Sequence, residues 1–135
     1  ERFGNLDYFR ITNFTNVMSI LQLVSLGFMS LLYFVAGISH ILAPKFFLQI
    51  TPKWVPYPKK VNILVGIIEM VLGILLIFDV TRAYAAMGII ALLLAVFPAN
   101  IYHFILAKRN QKYVIATMIR LPLQVLLIYW TYTFI

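Results

Sequence analysis

Glu69 and Arg120 are the chemically decisive residues of this chain, because each stands inside a long apolar run. A charge at the centre of a bilayer costs roughly 2.5–3.5 kcal/mol on insertion scales and more in simulations, so such groups face inward and find partners. Opposite signs at similar depth make a buried Glu69–Arg120 ion pair the cheapest arrangement. Four more polar side chains fall near them: His40, Asn100, His103 and Gln124. Gln124 lies one turn beyond Arg120, where it can satisfy spare donors or acceptors. Arg120 is suited to a carbonyl or an anionic group, and His40 or Glu69 to passing protons. The six together would line a pocket for a small amphipathic molecule such as a quinone head group or a lipid. The same six could equally form a network that only fixes helix register, and no catalytic residue is assigned. A metal site from His40, His103 and Glu69 is not assigned either. Its ligands would come from three helices with no i, i+4 spacing, unlike the close grouping of metal motifs. Haem bound by the two histidines has no better support.

The elements that must position these groups are membrane spans. The chain has 135 residues, 63% of them apolar and 11% charged, against about 45–50% and about 25% in soluble domains. A soluble fold of this size cannot hide so much apolar surface. A span needs about 20 apolar residues to cross about 30 Å of hydrocarbon. Four stretches qualify, at about residues 17–43, 61–78, 83–107 and 114–135. The expected fold is an all-α membrane protein, a four-transmembrane-helix up-down bundle forming a single domain over residues 1–135. Glu1–Asn16 reads as an interfacial lead-in, and no signal peptide is recognisable there. The absence of cysteine rules out disulfides and thiol chemistry within the chain.

The linkers differ in kind. Asp79–Arg82 is a tight turn carrying both signs of charge, and Lys108–Lys112 is a short basic turn. Between the first two spans, Pro44–Lys60 holds four prolines, and Phe46, Phe47, Trp54 and Tyr57 stand among four lysines. Pro44 suits the start of a short helix that later prolines stop. Aromatics mixed with lysines suit the headgroup layer, so this segment reads as an interfacial flap covering one end of the bundle, or as a plain anchor loop. The net charge of +7 sits mostly between the apolar runs. That placement fits a membrane surface and not the basic face a nucleic acid requires. The flap and the 108–112 turn share a side that is basic without acidic residues, which by the positive-inside rule puts both termini outside the cytoplasm.

Polar and small residues recur at steps of three and four, marking inward faces. Ser30, Tyr33, Gly37 and His40 fall on one face of the first span; Asn62, Gly66, Glu69 and Gly73 on one face of the second; Tyr113, Thr117, Arg120, Gln124 and Thr131 on the fourth. In the third span Asn100 and His103 share a face, and Gly88, Ala91, Ala95 and Ala99 offer a flat packing surface. At 1.5 Å per residue, Glu69, Asn100 and Arg120 lie in the half of the bilayer beneath the flap. Pro98 and Pro122 each leave a carbonyl without its helical donor near this cluster, as happens where a cavity opens.

These motifs resemble the DoxX-like family. The resemblance rests on Ala36-Gly37-Ile38-Ser39-His40, Pro44-Lys45-Phe46-Phe47 and Pro52-Lys53-Trp54-Val55-Pro56-Tyr57-Pro58. It continues in Gly66-Ile67-Ile68-Glu69 with Gly73, and in Thr81-Arg82 with Ala85-Ala86. Val96-Phe97-Pro98-Ala99-Asn100-Ile101-Tyr102 and Arg120-Leu121-Pro122-Leu123-Gln124 complete it. It covers about residues 33–130. It implies a small four-helix, multi-pass protein of the bacterial inner membrane, with relatives linked to quinone-dependent sulfur oxidation and to membrane complexes that respond to oxidative stress. Its matched positions are His40, Glu69, Pro98, Asn100, Arg120 and Gln124. The chain departs from the family pattern at Ala83, where a second basic residue is usual, and in the basic residues Lys108, Arg109 and Lys112. The family pattern favours termini inside, against the charge count, and leaves the orientation open.

Three readings follow. One is a membrane protein that binds a quinone-like or lipidic molecule, as a subunit of a redox assembly or on its own. The second is a non-catalytic accessory subunit of a membrane complex, or a homo-oligomer, whose polar cluster only stabilises the bundle. The third is a membrane enzyme using Glu69 and His40 for acid–base chemistry. The bilayer is the one partner common to all three.

Overall fold

The computed structural model describes residues 18–135. The lead-in over Glu1–Asn16 and the first residue of the first expected span lie outside these. Among the described residues there are five helices and no strand: α1 Ile20–Leu42, α2 Pro44–Ile50, α3 Pro58–Leu75, α4 Arg82–Asn110 and α5 Val114–Tyr132. Helix is what a lipid environment demands, since every backbone donor and acceptor must be satisfied within its own segment. Helices α1, α4 and α5 are long and apolar enough to cross a membrane. The chain is a multi-pass membrane protein. Helix α3 is 18 residues long and carries Lys59, Lys60 and Glu69.

Local chemistry sets the ends. Ser19 and Gln22 form a capping box at the start of α1, the Ser19 hydroxyl accepting from the Gln22 amide and the Gln22 side chain accepting from the Ser19 amide. Pro44 disfavours helix at the residue before it, so α1 stops at Leu42 and α2 starts afresh with proline in its first turn. Helix α3 begins at Pro58 and ends at Leu75, three residues earlier at both ends than the hydropathy pattern predicts. The early finish has a cause. The Thr81 hydroxyl donates to Leu75 O at 2.7 Å, and the Arg82 guanidinium donates to the carbonyls of Leu76 and Ile77 at 3.2 Å each. Arg82 also meets Asp79 at 2.6 Å. Helix α4 runs on to Asn110, so Lys108 and Arg109 occupy its last turn, where cations are favoured. The turn itself shrinks to residues 111–113, with Gln111 and Tyr113 both in left-handed backbone conformation.

Helices α1 and α3 pack antiparallel along small residues. The Ser30 hydroxyl donates to Gly73 O at 2.5 Å. A methyl group added at Gly66 would lie 2.7 Å from Gly37 O and 2.8 Å from His40 Cβ. These are the two faces the residue spacing marks, and they meet each other. Helices α4 and α5 form a second antiparallel pair, joined through Asn100, His103, Arg120 and Gln124. The flat surface expected on Gly88, Ala91, Ala95 and Ala99 is not the packed face of α4. Ala85, Ala86, Ile89 and Leu93 are buried instead, while Ala91 is exposed and Ala95 and Ala99 border the open space between the helix pairs. Of the expected set, Gly88 lies beside Leu72, whose Cδ2 a methyl group added at Gly88 would meet at 2.8 Å.

The core is concentrated at the end away from α2. Leu26, Met29, Tyr33, Leu76, Ala85, Ala86, Ile89 and Leu93 form one cluster, backed by Leu127, Ile128 and Trp130. There the Trp130 indole donates to Ser25 Oγ at 2.8 Å and stacks on Phe28, tying α5 to α1. Toward α2 the two helix pairs enclose a cavity instead.

Candidate functional site

The cavity measures about 490 Å³ and is walled mainly by aliphatic side chains of α1, α3, α4 and α5. Five of the six expected site residues line it: His40, Glu69, Asn100, Arg120 and Gln124. His103 stands behind Arg120. Trp54 and Phe47 close the end nearest α2.

Each polar group is held by a specific partner. Asn62 grips His40 at two points: its Nδ2 donates to the His40 carbonyl at 2.8 Å, and its Oδ1 lies 2.7 Å from His40 Nδ1. The carbonyl can only accept, which turns the amide so that its oxygen faces the ring. The ring must therefore carry its proton on Nδ1. Nε2 is left facing Glu69 Oε2 at 3.5 Å. Phe47 stacks on the same imidazole, with centroids 3.7 Å apart.

Arg120 Nη1 lies 3.3 Å from His103 Nδ1. A guanidinium has donors only, so His103 accepts there and carries its proton on Nε2. Phe46 meets His103 edge-on at 6.3 Å. Gln124 is buried. It accepts from Asn100 Nδ2 at 2.5 Å and donates to the Leu93 carbonyl. Leu93 precedes Leu94, whose helical donor is removed by Pro98. A side chain of α5 thus serves the backbone of α4 beside its proline.

The direct Glu69–Arg120 pair expected from charge and depth is not made. Within 4 Å Glu69 meets His40, while Arg120 meets His103. Both charged groups do face inward and share one cavity, but each has a histidine as its near partner, and Asn100 and Gln124 are paired with each other. The histidines and Glu69 do not converge on one point: among the described residues no three metal-ligating side chains are grouped closely enough to hold an ion. Of the flap aromatics, Phe46 and Phe47 reach the histidines and Trp54 lines the cavity, while Tyr57 is 75% exposed with Lys60 over its ring.

Two residues belong to the site although the charge argument passes over them. Asn62 and Tyr33 both line the cavity. The signal for each is in the sequence, since Asn62 lies seven residues before Glu69 and Tyr33 seven before His40, two helical turns on the same faces.

A family model described as a domain of unknown function, DUF8561, matches residues 29–135. The chain belongs to this family. The matched region of this DUF8561 protein contains every residue of the site just described and all the helices that carry them, apart from the first residues of α1. No curated protein and no solved structure matches the chain.

Proposed function

We propose that this chain binds a small amphipathic molecule, quinone-like or lipidic, between its helices. One observation carries the reading. A cavity of about 490 Å³ falls within the roughly 300–1,000 Å³ of small-molecule sites, and its apolar wall with a few convergent polar groups is their usual make-up. In a chain with three candidate membrane spans, an apolar ligand is the kind that reaches such a site through the bilayer.

The reading takes α3 as a fourth span, giving an up-down bundle with α2 and residues 51–57 as a flap over the cavity. The support is that α3 lies antiparallel to α1 along its length and turns Glu69 toward His40. The likeness of its motifs to DoxX-like proteins favours a single domain in the bacterial inner membrane and a role as a subunit of a membrane redox assembly. The accessory reading has one observation of its own. Asn100, Gln124 and the Leu93 carbonyl are paired with one another, as in a network that only holds helices together.

Native mass spectrometry of the gently purified chain, with solvent extraction of what it carries, decides between them. The binding reading expects a stoichiometric quinone or lipid that is lost when Arg120 is replaced by leucine. Recovery of protein free of any small molecule, with partner subunits attached, overturns it in favour of the accessory role.

A further inference from the structure

Among the described residues, two buried side-chain atoms make no hydrogen bond: Tyr33 Oη and Glu69 Oε2. Both side chains line the same cavity, and Tyr33 is only 3% exposed. A buried polar atom without a partner is costly and rare, and such atoms in a ligand cavity point to what the ligand supplies. We propose that Tyr33 and Glu69 form the seat for a hydroxyl group of the bound amphiphile, the hydroxyl donating to Glu69 Oε2 and accepting from the Tyr33 O–H. The inference rests on the binding reading above and specifies the ligand's chemistry.

The neighbouring hydroxyls have given their protons elsewhere. Thr131, beside Tyr33, gives its proton to the Leu127 carbonyl at 2.7 Å and so has none for Tyr33 Oη, which makes no hydrogen bond. The Ser30 hydroxyl, one turn earlier on α1, is committed to Gly73 O. On the carboxylate side, Asn62 fixes the His40 proton on Nδ1, so Nε2 presents a lone pair toward Glu69 unless a proton lies between them. At 3.5 Å His40 Nε2 and Glu69 Oε2 make no hydrogen bond, and Oε2 keeps its lone pairs for a ligand donor. A group that both donates and accepts at one atom satisfies both orphans, and a hydroxyl is that group. A carbonyl-only head group satisfies Tyr33 and leaves Glu69 Oε2 bare. At the other side of the cavity Arg120 and Asn100 offer donors for a second polar atom.

The hydroxyl can come from a phenol or from an aliphatic lipid alcohol, and the test has an arm for each. Trp54 lines the cavity and Trp130 lies in the distant core. In the full chain carrying Trp130→Phe, reconstituted in nanodiscs, Trp54 is the sole tryptophan and reports binding by its fluorescence. One arm titrates 4-nonylphenol against its methyl ether; the other titrates 1-tetradecanol against its methyl ether. The ether removes the donor and keeps the rest. The seat predicts that in at least one arm the hydroxyl form binds on the order of tenfold more tightly than its ether. It predicts that Tyr33→Phe and Glu69→Leu each abolish most of that preference. The responding arm identifies the source. Equal binding of alcohol and ether in both arms overturns the seat and leaves the cavity reading standing, as does a preference that survives both substitutions. Failure of all four probes to change Trp54 emission overturns the cavity reading and the seat with it.

Discussion

His40 and His103 carry their ring protons on opposite sides. The Asn62 oxygen at 2.7 Å requires a proton on His40 Nδ1, and the Arg120 guanidinium at 3.3 Å requires a lone pair on His103 Nδ1. The chain has two histidines, so ¹⁵N spectra of selectively labelled protein show one Nδ1 protonated and one bare. Replacing Asn62 by leucine is expected to erase the protonated Nδ1 pattern of His40 alone. Two identical histidine patterns in the unmodified protein contradict the assignment of both partners.

Close approach of α1 and α3 depends on Gly66. A methyl group there meets Gly37 O at 2.7 Å and His40 Cβ at 2.8 Å, and the first of these is backbone that cannot turn aside. Gly66→Ala is expected to destabilise the fold by about 1–3 kcal/mol, the usual range for overpacking, and Gly66→Leu by more. Thermal unfolding in detergent measures it. Gly27→Ala is the control, because nothing lies within 4 Å of its added carbon.

Asn100 and Gln124 hold α4 to α5 near Pro98 through a 2.5 Å bond. A double-mutant cycle with Asn100→Ala and Gln124→Ala is expected to give a coupling energy of roughly 0.6–2 kcal/mol, the range found between membrane helices. Gln124→Ala should be the more harmful single change, since it also removes the side-chain donor to the Leu93 carbonyl. Additive effects count against the network.

Phe47 covers His40 with ring centroids 3.7 Å apart. Phe47→Ala removes that cover while leaving the α1–α3 contacts in place. Under the binding reading, ligand dissociation speeds up by about two- to tenfold, as the loss of one aromatic contact predicts, with little change in unfolding temperature. Stopped-flow release measurements check both the direction and the size. An unchanged release rate means that α2 is an anchor and not a cover.

The polar faces of α1 and α3 were readable because few residues of those helices are small or polar, and their steps of three and four stand out against aliphatic neighbours. The packed face of α4 was not readable. Its inner positions Ala85, Ala86 and Ile89 and its outer position Ala91 are alike in chemistry, since a helix surrounded by lipid is apolar on every side and loses the contrast that marks an inward stripe. Charge and depth single out Glu69 and Arg120, and both line one cavity. They cannot choose their partners, because that choice depends on the ring positions of His40 and His103, which Asn62, Phe46 and Phe47 help to set. Tyr57 shows the limit for the flap: aromatic composition marks the segment, but only the turn geometry decides which rings point in and which stay outside.

The Arg82 clamp on the Leu76 and Ile77 carbonyls has a mechanical consequence. It locks the two helix pairs together at the end where the core is solid, and Trp130 bolts the same end from the other side. Spreading of the pairs is then pivotal, not sliding. A small angular change at this fulcrum is magnified along the helices and is largest at the mouth, where Phe46 and Phe47 rest. Under the binding reading, admission of a ligand and stability of the fold are then governed by different ends of the same molecule.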